Sequence, residues 1–308
     1  MNPDVIRKII HAGNVAEDKP LSGYTTFLVG GPARIFVTPG NEAELADLLK
    51  LLSENSEDFF ILGNGSNLLV SDRGYSGIVI NLGRNPNGTF SEISYEQAGD
   101  DVLITAGAGV KMGAIGKLAE ELSLTGFECL SGIPGTIGGA CVMNAGAYGG
   151  ELKDVFYRGK ALDRHGNIID LTPETMNFGY RRSSVSDRDL IVTQAVIRLA
   201  KGDPAKIHEK MQELSSRRRE KQPLEYPSAG STFKRPEGYF AGKLIEDSGL
   251  RGYRIGGASV STKHCGFVVN DRNACAEDIY QLICHVQDKV FRDTGVRLEP
   301  EIRFLGEF

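Results

Sequence analysis

The chain has 308 residues, 41% hydrophobic and 24% charged, an ordinary globular composition that excludes disordered, coiled-coil and collagen-like chains and leaves room for about two domains. Its 38 glycines exceed the usual share of ~7%, and they cluster, which marks tight turns or backbone close to a ligand. The 35 basic and 40 acidic residues leave a net charge of −5, which argues against a nucleic-acid face.

Asn41 to Leu52 reads as a helix, capped by Asn41, with Glu44 three residues on and Leu45, Leu48, Leu49 and Leu52 on one face. Phe59-Phe60-Ile61-Leu62 is a short strand running into Gly63-Asn64-Gly65-Ser66-Asn67. Leu68-Leu69-Val70 and Ile78-Val79-Ile80 follow as strands. Val102-Leu103-Ile104 leads to Gly107-Ala108-Gly109, and Met112 to Leu122 reads as a helix. Residues 126–150 are the richest glycine stretch, and strands return through about residue 199, with a turn at His165-Gly166-Asn167. Asp203-Pro204 opens a long helix with Ile207, Met211 and Leu214 on its face, and Gln222-Pro223 stops it. Glu277 to Arg292 is a second amphipathic helix, through Ile279, Ile283, Val286 and Val290. Strands and helices that do not alternate strictly point to an α+β fold, with a domain boundary in the region 200–222.

Cys129, Cys141, Cys265, Cys275 and Cys284 form no CxxC pair, so neither a disulfide framework nor a metal site is expected. Cys284 and His285 are adjacent, with nothing nearby to complete a ligand set. Arg217-Arg218-Arg219 reads as a solvated helix end, the other reading being contact with an anionic substrate. No apolar run stands at the N-terminus, so no signal peptide and no membrane insertion are expected. A reduced, cytoplasmic compartment fits best.

The glycine clusters match no standard nucleotide fingerprint. In Gly107-x-Gly109 the next glycine, Gly113, comes one residue too late for G-x-G-x-x-G, and neither a P-loop nor a G-x-S-x-G elbow occurs. Two loops remain, Gly63–Asn67 and Ser131–Gly139. Glycine lets backbone N–H groups approach phosphate oxygens, and Ser66 and Thr136 add hydroxyl donors. Two such loops would grip a diphosphate from both sides; the competing reading is a pair of structural turns.

Seven segments then resemble one family, UDP-N-acetylenolpyruvoylglucosamine reductase, a flavoenzyme family of peptidoglycan precursor synthesis. In order they are Thr25-Thr26-Phe27-x-Val29-Gly30-Gly31-Pro32-Ala33, Leu62-Gly63-Asn64-Gly65-Ser66-Asn67, and Gly132-Ile133-Pro134-Gly135-Thr136-Ile137-Gly138-Gly139. Asn144-Ala145-Gly146-Ala147-Tyr148-Gly149, Tyr180-Arg181-x-Ser183, Ala229-Gly230-Ser231-x-Phe233-Lys234 and Leu298-Glu299-Pro300-Glu301-Ile302-Arg303 complete the set. The resemblance implies a vanillyl-alcohol-oxidase-type FAD-binding domain of two α/β subdomains, taken as residues 1–205 with a split near 85–100. A C-terminal α+β substrate domain, 206–308, would follow. Gly63, Asn64, Gly65, Ser66, Asn67 and Leu68 would bind the FAD diphosphate and its surroundings together with Gly132, Ile133, Pro134, Gly135, Thr136, Gly138 and Gly139. Asn144, Ala145 and Gly146 would lie along the cofactor, held without a covalent link.

The implied reaction converts UDP-N-acetylglucosamine enolpyruvate to UDP-N-acetylmuramate, with NADPH as hydride donor. Hydride passes from reduced FAD to the enolpyruvyl β-carbon, and Ser231 gives a proton to the α-carbon. Arg181 and Glu301 would be its partners. A cation beside the substrate carboxylate suits the enolate-like charge, and Glu301 would act either as a proton-bearing donor or through Arg181. Lys221, Lys234, His264 and Tyr180 are expected substrate contacts, although Lys234-Arg235-Pro236 departs from the Lys-Asn-Pro of some relatives. Arg181 and Ser231 lie close enough in sequence to resemble the shorter type of the family, which lacks an inserted tyrosine-bearing loop. The competing readings are another FAD-dependent oxidoreductase of the same superfold and a non-enzymatic binding module. A set of residues suited to an enolate argues against both.

Overall fold

The computed structural model describes residues 1–11, 13–83 and 88–308. Two compact units form, and neither is one stretch of chain. The first comprises Met1–Glu17, Ile35–Asn64 and Gly77–Ser216; the second comprises Asp18–Arg34, Gly65–Ser76 and Arg217–Phe308. The chain therefore passes from one to the other inside the first glycine loop and again inside the helix Pro204–Lys221.

In the first unit, the helix Glu42–Glu54 forms because Leu45, Leu48, Leu49 and Leu52 share one face, and all four are fully buried. Asn41 caps it, accepting from the Glu44 N–H at 2.9 Å. Glu44 does not return the bond to the cap residue. Its buried carboxylate instead accepts from the N–H groups of Gly40 and His11, both at 2.8 Å, which satisfies two amides upstream of the helix. The strand Phe59–Leu62 pairs in parallel with Tyr75–Asn81, with Leu62 opposite Asn81. These are the last two strands of a sheet ordered Asn14–Pro20, Pro32–Thr38, Tyr75–Asn81, Phe59–Leu62.

The same unit holds an antiparallel sheet ordered Ile168–Leu171, Phe156–Leu162, Ile191–Lys201, Asp101–Gly107, Ile93–Ala98, with Leu124–Thr125 paired to the end of Ile191–Lys201. The turn at His165-Gly166-Asn167 closes its first hairpin, with Gly166 at φ +79° and the Asp163 N–H on the Asn167 carbonyl at 3.0 Å. One core joins this sheet to the helices Met112–Glu121 and Ile137–Met143 through Ile115, Ile137, Ala140 and Cys141.

In the second unit, the helix Ala276–Thr294 lays Ile279, Leu282, Ile283, Val286 and Val290 against the three-stranded sheet Arg254–Ile255, Ala258–Val260, Val268–Asn270. Burying each such side chain is worth about 1.5–3 kcal/mol. Gly295 at φ +73° ends the helix. The last strand of the chain, Arg303–Leu305, pairs in parallel with Leu68–Val70, directly after the first glycine loop. The fold is α+β, with two parallel strand pairs, antiparallel sheets and helices interspersed among the strands.

Candidate active site

Three of the recognised segments and the first half of a fourth, Leu62–Asn64, meet in the first unit. Asn64 donates from its side chain to the Pro134 carbonyl at 2.6 Å, so the first glycine loop lies against the second. A Cβ on Gly63 would stand 2.7 Å from the Thr136 hydroxyl oxygen, a separation that admits only glycine. Thr136 is buried and caps the helix Ile137–Met143, accepting from the Gly139 N–H at 3.4 Å. The Gly138 N–H donates to the Ala108 carbonyl and the Met112 N–H to the Gly135 carbonyl, at 2.9 and 3.0 Å, which fixes the second loop on the sheet. Gly132, Pro134 and Gly139 are exposed, while Ile133 and Gly135 are half-buried. Burial pushes the Cys141 thiol up to about 12, which keeps it unreactive.

Asn144 follows that helix at φ +41° and is fully buried. Its side-chain amide donates to the Glu151 carboxylate and to the Gly179 carbonyl, both at 3.1 Å, and its Oδ1 accepts from the Lys153 N–H at 3.0 Å. Both amide hydrogens are thus spent inside the protein. The bond to Gly179 anchors a tight turn in which Gly179 and Arg182 exchange backbone bonds of 3.0 and 3.3 Å. Tyr180 and Arg181 occupy its tip, Arg181 at φ +55°. A left-handed arginine is strained, and such strain concentrates at functional positions. The Arg181 guanidinium donates to the Gly146 carbonyl at 3.2 Å and lies 5.2 Å from the Tyr180 ring centre. The Lys153 ammonium, bonded to Glu151 at 2.6 Å, holds the Glu151 carboxyl below its ordinary range, with help from Asn144 and the Arg181 charge. Ala145 lies between these residues, its N–H on the Ala140 carbonyl at 3.0 Å.

The other recognised segments meet in the second unit. Gly65 stands at φ +62°, where a Cβ would come 2.1 Å from the Tyr24 carbonyl, and its own carbonyl accepts from the Thr26 N–H at 3.1 Å. Leu68 is buried in the strand that follows. The side-chain amide of Asn67 donates to the Glu301 carbonyl at 3.1 Å, and the Asn67 carbonyl accepts from the Arg303 N–H at 3.0 Å. The stretch after Ser231 pairs antiparallel with the stretch before Glu301. The Lys234 N–H donates to Glu299, the Glu301 N–H donates to Thr232, both at 2.8 Å, and Phe233 faces Pro300. Buried Thr232 locks this ladder to the sheet, its N–H on Gly266 and its hydroxyl under the Val268 N–H, both at 2.9 Å. Ser231 is exposed and Glu301 half-buried.

Of the expected substrate contacts, Tyr180 belongs to the first unit; Lys221, Lys234 and His264 belong to the second. Lys221 ends the helix Pro204–Lys221 and is exposed. Lys234 forms an ion pair with Glu299. The His264 ring accepts from the Gly266 N–H at its Nδ1, 3.0 Å away, and lies edge-on to Phe267. That bond puts the ring proton of the neutral form on Nε2, leaving a donor. Protein packed around the ring lowers its pKa, and the Arg251 charge lowers it further.

Motif reading passes over two residues with structural work at these loops. Thr232, the unspecified position between Ser231 and Phe233, is the lock just described. Asn81 ends a strand after the apolar run Ile78-Val79-Ile80, is fully buried, and donates to the carbonyls of Leu62 and Gly63 at 2.9 and 3.0 Å. A polar amide closing an apolar run next to a glycine loop is the signal that marks it.

The chain is similar to known proteins over nearly its whole length. An FAD binding domain model matches residues 33–172, and the C-terminal domain model of UDP-N-acetylenolpyruvoylglucosamine reductase matches residues 222–305. The UDP-N-acetylenolpyruvoylglucosamine reductase of Caldanaerobacter subterraneus is 47% identical over 304 residues, covering 99% of this chain and 98% of that protein. That of Clostridioides difficile is 48% identical over 299 residues, covering 97% and 96%. The crystal structure of UDP-N-acetylenolpyruvylglucosamine reductase from Thermus caldophilus superposes with a TM-score of 0.80 at 34% identity, over 96% of this chain and 99% of that one.

Proposed function

This chain belongs to the UDP-N-acetylenolpyruvoylglucosamine reductase family, and we propose that it reduces the enolpyruvyl ether of that UDP-sugar to UDP-N-acetylmuramate with electrons from NADPH. It is an FAD-dependent oxidoreductase with a vanillyl-alcohol-oxidase-type FAD-binding fold. Its residues fit the dinucleotide, because Gly63 and Gly65 stand where side chains have no room and Asn64 ties the two glycine loops together. We assign the diphosphate and its surroundings to Gly63–Leu68 and Gly132–Gly139, and the stretch along the cofactor to Asn144–Gly146. Residues 1–205 would hold the flavin and 206–308 the substrate.

Bound FAD supplies the hydride, taken from NADPH and delivered to the substrate β-carbon. The chain supplies everything else. Arg181 meets the substrate carboxylate, where charge builds as the β-carbon is reduced; a planar fork suits that group. Ser231 donates its hydroxyl proton to the α-carbon, a transfer that requires ~2.6–3.2 Å between heavy atoms. A serine is a weak acid, and it serves here because the enolate it quenches is strongly basic. Glu301 works on the same enolate, and Tyr180, Lys221, Lys234 and His264 hold the UDP-sugar. The ladder that registers the Ser231 segment on the Glu301 segment carries this reading, because it holds the backbones of the two residues in one framework.

The reaction belongs to peptidoglycan precursor synthesis, and soluble nucleotide substrates suit a cytoplasmic enzyme. Among the described residues no helix is long and apolar enough to cross a membrane. Neither nucleic acid nor metal enters the scheme. Anaerobic mixing tests the whole. NADPH should bleach the flavin absorbance, and the enolpyruvyl UDP-sugar should restore it. Flavin that NADPH reduces but this substrate does not reoxidise would point to another oxidoreductase of the same fold.

A further inference from the structure

Asn81 has an uneven set of partners. Its amide hydrogens serve two consecutive carbonyls, those of Leu62 and Gly63, at 2.9 and 3.0 Å. Its own Oδ1 is buried and accepts from nothing among the described residues. An orphaned buried acceptor carries a desolvation cost, so the donor side of this amide must secure something in return.

The two carbonyls determine where the next two amides face. A peptide unit is planar and trans, so each C=O points opposite to the N–H that follows it. With the Leu62 and Gly63 carbonyls turned to Asn81, the N–H groups of Gly63 and Asn64 are turned away from it. Successive N–H groups presented to one side make an anion-binding concavity. The turn is held at two further points. Thr136 closes on Gly63, where a Cβ would be 2.7 Å from its hydroxyl oxygen, and the Asn64 side chain is bonded to the Pro134 carbonyl at 2.6 Å. Asn81 lies directly across the parallel sheet from Leu62, so strand pairing itself delivers the amide to the loop.

We propose that Asn81 is the positioning residue of the first glycine loop, turning the Gly63 and Asn64 amides toward the FAD diphosphate. The proposal rests on the reading that this loop takes the diphosphate. Asn81 itself touches no phosphate and acts through the Gly63 peptide.

The test compares FAD with riboflavin, which has the same ring and no phosphate. Full-length Asn81→Ala and Asn81→Leu are stripped of flavin and titrated with each compound, following flavin fluorescence. Asn81→Leu keeps the size of the side chain and removes both donors without adding charge, so it serves where the alanine variant fails to fold. The ratio of FAD affinity to riboflavin affinity should fall by about 10–100-fold in each variant, as loss of oriented donors to a charged group predicts. An unchanged ratio overturns the proposal, even where both affinities drop together, because a merely structural residue would move both ligands alike. Wild-type protein that binds riboflavin as tightly as FAD would instead sink the diphosphate reading of the loop.

Discussion

The side-chain amide of Asn67 donates to the backbone carbonyl of Glu301 at 3.1 Å, across 234 positions of sequence. The N–H of Glu301 donates to Thr232 at 2.8 Å. Glu301 is therefore held on one side by the first glycine loop and on the other by the neighbour of Ser231. The backbone of Glu301 is thus fixed at both its N–H and its carbonyl, and Ser231 directly precedes the residue that accepts from it.

That arrangement separates the two half-reactions. Flavin reduction by NADPH needs no proton at the enol ether, so Ser231→Ala should bleach at the wild-type rate. Reoxidation by the enolpyruvyl UDP-sugar should slow by ~10²–10⁴-fold, the usual loss for a general acid. Stopped-flow absorbance resolves the two steps. Equal slowing of both would make Ser231 structural.

Gly139 offers the converse test at the cofactor. It is exposed, the third residue of the helix Ile137–Met143, and a Cβ there would meet only the Thr136 hydroxyl at an ordinary 3.6 Å. Nothing in that spacing demands glycine. Gly139→Ala should therefore stabilise the flavin-free chain by about 0.5–1 kcal/mol, the helix-interior difference between the two residues. FAD affinity should fall if backbone approaches the diphosphate at this point. Thermal unfolding of flavin-free protein and a flavin titration give the two readouts, and unchanged affinity would remove Gly139 from the cofactor site.

Tyr148 is strained without an assigned role. It heads the turn between Gly146–Ala147 and Gly150–Glu151 at φ +53°, followed by Gly149 at φ +90°, and is exposed. Left-handed backbone costs a bulky L-residue roughly 1–2 kcal/mol, and asparagine or glycine much less. Tyr148→Asn should raise the denaturant midpoint by an amount worth about 1 kcal/mol. A lowered midpoint would show that the ring packs more favourably than the backbone strain costs.

The parts of the fold visible in the sequence are those with local patterns. Leu45, Leu48, Leu49 and Leu52 announce their helix, and Phe59–Leu62 and Leu68–Val70 match the structure residue for residue. The strand Ile93–Ala98 was illegible because five of its six residues face solvent, so no apolar alternation marks it. The pairing of Thr232–Lys234 with Glu299–Glu301 was equally hidden, because it joins segments far apart in the chain through few bonds. The site residues came from motif resemblance, not from periodicity. Ser231, Arg181 and Glu301 have no local signature, and the left-handed turn at Arg181 contains no glycine at the position that needs it. The motif resemblance puts Asn144 along the cofactor; its amide hydrogens bond Glu151 and Gly179, a role only tertiary structure reveals.

His264 gives a pH signature with a definite sign. Its pKa in the folded chain is lowered, first by the protein packed around the ring and then by the Arg251 charge, against an opposing backbone hydrogen bond. The Gly266 N–H on Nδ1 at 3.0 Å also requires that nitrogen to be unprotonated. The unfolded chain, whose histidine titrates near ~6.5, therefore takes up a proton before the folded chain does. The stabilisation is complete above that pH and is lost as pH falls toward the lower folded value. His264→Gln cannot titrate there, so the stability difference between wild type and variant should shrink between pH 8 and pH 5. Urea unfolding at four pH values across that range measures it. A difference that grows on acidification would mean that the folded protein favours the imidazolium, and the assignment of His264 as a neutral Nε2–H donor to substrate would fall with it.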